Sequence, residues 1–155
     1  MVGKQDNALQ LTNTMMQKFN AIKQKAETYN TQQNKSVYFE ISPLNYGLWT
    51  SGKGTFMHEI AVMLNVKNAF EDLDSWCEVS QEQVIAHNPY SIVSVPTNKE
   101  DENFVKSEIL NRRGWSGIDA IKNSKLIVLD DSCISRPGPR LVDAAEKLYK
   151  FYYEE

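Results

Sequence analysis

Apolar residues recur over residues 6–34 at Ala8, Leu11, Met15, Phe19, Ile22, Ala26 and Tyr29, in steps of three and four. That spacing predicts one long helix with a single buried stripe. At 1.5 Å per residue it would run roughly 40 Å, more than a compact domain of this size needs. The pattern then changes. Val37 to Ile41, Ser91 to Val95 and Leu126 to Leu129 are short apolar runs, the mark of strands buried on both faces.

Helical patterns alternate with these strands. Thr55 is a plausible N-cap for a helix burying Phe56, Ile60, Met63 and Leu64. Ser80 and Gln83 fit a capping box that opens a short helix through Val84 and Ile85, which stops before Asn88-Pro89. Glu102 to about Arg112 carries Phe104, Val105, Ile109 and Leu110, and Gly114-Trp115 breaks it. Leu141, Val142, Ala145, Leu148 and Tyr152 mark a last helix, with Pro137 and Pro139 suited to its first turn. Residues 42–54 read as a long loop and 65–79 as irregular. The order predicts an α/β fold: one Rossmann-like lobe with a mainly parallel sheet flanked by helices, preceded by the long helix.

In such sheets ligands sit beyond the carboxyl ends of the strands. Arg136, in the loop after the last strand, is placed there. A chain of 155 residues is long enough for one domain with a proper core. A net charge of −3 gives no nucleic-acid footprint. No apolar run is long enough to span a membrane, and the N-terminal residues lack the apolar segment of a secretory signal. Cys77 and Cys133 could pair or stand as two free thiols.

Gly47-Leu-Trp-Thr-Ser-Gly52-Lys53 matches the first seven positions of a phosphate-binding P-loop, which raises a cytoplasmic P-loop-like nucleotide hydrolase as the rival reading. The eighth position, which should be Ser or Thr to hold Mg²⁺, is Gly54, and five residues separate Gly47 from the preceding strand. His58-Glu59 starts like a zinc-protease motif, but position 62 is Val. His58 and His87 are the only histidines, and no Cys/His cluster has metal spacing. No catalytic set emerges, and the chain is read as non-enzymatic, with no metal site and no cofactor.

A set of weak motifs in fixed order carries more. Val2-Gly3-Lys4, Val37 to Ile41, Thr50-Ser-Gly-Lys53, Gly54-Thr-Phe56, Asn68-Ala-Phe-Glu-Asp72, Trp76, Val79-Ser80, Glu82, Asn88-Pro89, Trp115, Ala120-Ile-Lys-Asn123 and Ser135-Arg-Pro-Gly-Pro-Arg140 follow one another along nearly the whole chain. In that order they resemble the C-terminal half of the substrate-binding proteins serving ABC importers of iron complexes and vitamin B12. The resemblance implies residues 1–35 as the interlobe helix and 36–155 as the C-terminal α/β lobe, the N-terminal lobe being absent. It implies a transported cargo (siderophore, haem or cobalamin), permease subunits as partners, an extracytoplasmic location, and membrane association only through an absent N-terminal anchor.

Four residues take roles from that resemblance. Trp49 and Trp76 match pocket aromatics of the cobalamin-binding members, and flat rings suit a corrin, a porphyrin or a catecholate. Arg136 matches a pocket arginine; it could equally be solvated or bonded to Asp130 or Asp131. The acid found four residues before that arginine in cobalamin binders is here Ser132, so the cargo stays open among the three classes. Glu82 matches the glutamate with which the C-terminal lobe meets an arginine pocket on the permease, and a first-turn acid is also favoured by the helix dipole. Trp115 is read as core.

Overall fold

The computed structural model describes residues 5–29, 35–96, 101–130, 134 and 138–154. Four parallel strands form the central sheet: β1 (Ser36–Glu40), β3 (Lys67–Asn68), β5 (Ser91–Ser94) and β6 (Leu126–Val128). Their order is β3-β1-β5-β6, with Val37 opposite Ser91 and Ile92 opposite Leu126. The helices are α1 (Gln5–Glu27), α2 (Phe56–Met63), α3 (Gln81–His87), α4 (Glu102–Leu110), α5 (Asp119–Lys122) and α6 (Leu141–Tyr153).

Strand alternation divides the core in two. Val37, Phe39, Val93 and Val95 face α1, α2 and α6, packing with Ile22, Ala26, Met57, Ile60 and Leu148. Tyr38, Ile92 and Leu126 face the other side, against Phe70, Val84, Ile109 and Trp115. Trp115 is fully buried, as its reading as core requires. The caps follow the sequence: the Thr55 hydroxyl accepts from the His58 N–H, and Ser80 and Gln83 form the reciprocal capping box.

Three features depart from the sequence pattern. The first is the end of α1, at Glu27 rather than near Asn34. The Thr28 and Tyr29 N–H groups turn back onto Lys25 and Ala26, and the Tyr29 ring stacks on Tyr153 at 4.4 Å, so docking on α6 draws the chain off the helix axis. Residues 30–34 lie outside the described residues. Of the apolar stripe, Ile22 and Ala26 are buried and Met15 and Phe19 pack at the core's edge, whereas Leu11 is exposed. The second is the start of α6, which begins at Leu141, past the prolines.

The third is a second sheet. β2 (Leu48–Ser51) pairs antiparallel with β4 (Trp76–Val79), where the sequence reads as loop and irregular chain. Lys53 and Asp74 extend the pairing by an isolated bridge. The Gly52 N–H donates to Ser75 O at 2.7 Å and the Lys53 N–H to Leu73 O at 2.7 Å. These are the amides a P-loop would turn toward phosphate. Here they are committed to the neighbouring segment 73–75, and Leu48–Ser51 forms a strand rather than a strand-to-helix turn. The nucleotide-hydrolase reading fails on that geometry.

Candidate ligand-binding site

The β2–β4 ribbon is fixed at the carboxyl end of the main sheet. The Ile41 N–H, just past β1, donates to Trp49 O at 3.0 Å, and the Asn68 side chain at the end of β3 donates to Ser51 O at 2.7 Å. Opposite residues of an antiparallel pair share a face, and successive residues alternate. Trp49 faces Glu78, and Ser51 faces Trp76. Leu48, Thr50 and Val79 therefore turn inward and are buried. Trp49 and Trp76 turn outward, 39% and 38% exposed. The register makes them diagonal neighbours on one face. Each keeps part of its indole seated on protein and part open to solvent. Phe56 meets the Trp76 ring edge-on at 5.4 Å and braces it.

Two glycines make this ribbon possible. Gly47 has φ +84°, and a Cβ there would lie 2.7 Å from a carboxylate oxygen of Glu78. At Gly52 a Cβ would lie 2.2 Å from the Leu73 carbonyl oxygen. Ser75, just before Trp76, is held at φ +63°, a region a non-glycine residue seldom occupies. The Cys77 thiol is free and half-buried, and it donates to Asp74 O at 2.9 Å; Cys133 lies outside the described residues.

Beyond the ends of β1 and β5 opens a cavity of about 350 Å³. Its walls include Glu40, Ser42, Leu44, Ser94, Phe104 and Glu108. Glu40, the last residue of β1, is 3% exposed. Arg112 donates to it through both terminal nitrogens, at 2.6 and 2.9 Å, and to Glu108 through Nε and one terminal nitrogen, at 2.9 and 2.5 Å. The guanidinium also lies 4.6 Å from the Trp115 ring. Burial pushes the Glu40 carboxyl up from its usual range, and the Arg112 hydrogen bonds and charge oppose that push. For Arg112, burial favours loss of the proton, but bonds to Glu40 and Glu108 outweigh it and hold the guanidinium above its ordinary range. Sequence reasoning missed this trio. The available signal was a glutamate inside the apolar run Val37 to Ile41, which demands a buried partner.

Glu82 sits in the first turn of α3, remote in role from the cavity and fully solvated. Its own backbone N–H first, and the Ser80 hydroxyl second, hold its carboxyl below the usual range. Arg136 lies outside the described residues, so Trp49 and Trp76 are the predicted ligand contacts that the fold brings together. Of the histidines, His87 lies against Phe70 at 4.3 Å with the rings tilted by 39°, and His58 Nδ1 lies 3.5 Å from the Asn68 amide. Among the described residues no three His, Cys, Asp or Glu side chains group as a metal site, and no helix is long and apolar enough to cross a membrane.

The sequence is similar to known proteins over nearly its whole length. It is 32% identical over 154 residues to the uncharacterized ABC transporter substrate-binding lipoprotein YvrC of Bacillus subtilis (strain 168), covering 99% of this chain and 46% of that protein. It is 29% identical over 146 residues to the vitamin B12-binding protein of Salmonella typhi, covering 92% of this chain and 48% of that one. Among solved structures, a possible iron-binding (periplasmic solute-binding) protein from Staphylococcus epidermidis superposes with a TM-score of 0.82 at 27% identity, over 96% of this chain and 55% of that chain. The chain thus spans about half the length of the curated relatives it matches. The family model described as periplasmic binding protein matches residues 1–133, and the chain belongs to that family.

Proposed function

We propose that this chain is the C-terminal lobe of the substrate-binding component of an ABC importer, taking as cargo an iron chelate, haem or cobalamin. The observation that carries the reading is the pairing of Trp49 and Trp76 on one open face at the carboxyl end of the sheet, in a family of binding proteins. Two half-exposed indoles offer a flat, apolar, rigid wall, which suits a macrocycle or aryl chelate. The second wall of the clamp belongs to an N-terminal lobe outside this chain, and Arg136 is assigned as a further cargo contact. α1 supplies the connection between lobes. Its N-terminal half leaves Leu9, Leu11 and Met16 exposed, as a helix shared with a second lobe would. Glu82, charged and solvated at the start of α3, is assigned to the permease contact. The setting is the outer side of the cytoplasmic membrane.

Titration of the full-length protein with cyanocobalamin, haemin and a ferric trihydroxamate, followed by intrinsic tryptophan fluorescence, tests the reading. One cargo should bind tightly and quench. Trp49→Ala and Trp76→Ala should each weaken it by about tenfold, the loss of one well-packed aromatic contact. The isolated lobe should bind the same cargo far more weakly, because half of the contacts are missing. Binding by none of the three, or unchanged affinity in the double variant, would overturn the assignment.

A further inference from the structure

We infer that the cavity beyond β1 and β5 is a subsite for a protonated amine carried on an apolar stem. The inference rests on the transport reading for its biological meaning, since it names a charged arm of the cargo. The site itself stands on its own geometry.

Glu40 and Glu108 of the Glu40–Arg112–Glu108 trio line the cavity, while Arg112 does not. The guanidinium lies behind them, and one cation serves two anions. The trio therefore keeps one formal negative charge, shared by two residues of the cavity wall. Each carboxylate oxygen takes one N–H from Arg112 and keeps acceptor capacity for another donor. Ser94, 3% exposed, also lines the cavity, and its hydroxyl makes no hydrogen bond among the described residues. That hydroxyl can bond a polar group placed in the cavity. Pro43, Leu44, Val95 and Phe104 supply the rest of the wall.

That combination selects by charge. An ammonium would find carboxylate acceptors at the cavity wall and apolar surface for its stem. A carboxylate or catecholate would meet like charge in a partly desolvated setting. The volume, about 350 Å³, admits one short arm rather than a macrocycle, which leaves the tryptophan face for the body of the cargo.

The test uses n-hexylammonium, hexanol and hexanoate as probes, with binding to the 155-residue chain followed by saturation-transfer NMR. Hexylammonium should bind at least about tenfold more tightly than hexanol, the gain from a charge-assisted hydrogen bond, and hexanoate should not bind. Glu108→Gln takes the trio from one net negative charge to none, and Arg112 still holds Glu40. It should lower hexylammonium affinity by about fivefold or more, with the melting curve checked for an intact fold. Phe104→Lys, at an exposed position on the cavity wall, places an ammonium of the chain's own beside the carboxylates and should abolish binding. Equal binding of hexanol and hexylammonium, or an affinity in Glu108→Gln that stays within about twofold, would overturn the inference. Loss of amine selectivity alongside tight cargo binding leaves the transport reading standing. Amine binding in a protein that takes none of the three cargoes refutes the transport reading alone.

Discussion

Gly52→Ala tests whether close approach of two backbones, rather than side-chain packing, holds the tryptophan ribbon in place. The added Cβ would sit 2.2 Å from Leu73 O, 2.7 Å from Leu73 C and 3.1 Å from Ser75 O. All three are backbone atoms, so no rotamer change relieves the overlap. The strand end and the 73–75 segment must part by about 1 Å to restore ordinary contact distances. Three hydrogen bonds span that gap: Gly52 N–H to Ser75 O at 2.7 Å, Lys53 N–H to Leu73 O at 2.7 Å and Ser75 N–H to Lys53 O at 2.8 Å. At about 1 kcal/mol each, their loss costs about 3 kcal/mol. For a domain of this size that lowers Tm by about 6–12 °C. Thermal unfolding followed by circular dichroism reads it, and hydrogen exchange at Lys53 and Ser75 should accelerate. Gly54 is the internal control, with φ +82° and no atom within 4 Å of where a methyl group would sit. Gly54→Ala should cost only the left-handed backbone penalty, about 1–2 kcal/mol, and Gly54→Asn should recover much of it. A Gly52→Ala protein melting within about 1 °C of the parent would refute the reasoning.

Other perturbations probe the remaining elements. Arg112→Ala strands the Glu40 carboxylate in the core and should cost about 3–5 kcal/mol at neutral pH, measured by urea unfolding. The deficit should shrink on acidification. With the guanidinium gone, burial and then the Glu108 charge push Glu40 up against only the smaller opposing effect of the Tyr38 hydroxyl, and a carboxyl raised in the fold contributes stability below its unfolded pKa and loses it as pH rises through the folded one. A deficit that grew toward acid would contradict this. Thr50→Val replaces a fully buried hydroxyl that has no hydrogen-bond partner among the described residues, and should leave stability unchanged or raise it by up to about 1 kcal/mol. A loss of that size would reveal a partner for the hydroxyl. In the full-length protein, Glu82→Arg should abolish transport while cargo affinity stays near the parent value; a large loss of affinity would move Glu82 into the pocket.

What the sequence made legible was what local rules decide. Thr55 and Ser80 cap where a hydroxyl before an apolar helix face should cap. The apolar run at residues 91–95 supplies the central strand Ser91–Ser94 because a doubly covered sheet shelters such a run. The end of α1 was not legible, because it depends on Tyr29 finding Tyr153, more than a hundred residues away. The ribbon was hidden for a related reason. Leu48-Trp-Thr-Ser and Trp76-Cys-Glu-Val each alternate over four residues only, too short for a period to speak, and their pairing requires Gly52 to lie against Leu73. The tryptophans were found through family resemblance, and the register accounts for why they share a face.

The P-loop match and the missed trio have a common lesson about glycine and charge in strands. Gly47 and Gly52 look like phosphate-loop glycines because both uses need backbone without a Cβ. In this chain the close partner is a carboxylate at one and a carbonyl at the other. Glu40 looks like a strand residue because its partner is supplied by the end of a helix that the sheet packs against. In each case the residue type announces an unusual demand, a near approach or a buried charge, and only the fold says what meets it. Arg112 answers Glu40 and Glu108 together, and the charge left over is shared by two residues of the cavity wall. A fold needing only to neutralise Glu40 would use one carboxylate for one guanidinium, so the second carboxylate is the residue whose removal best separates stability from binding.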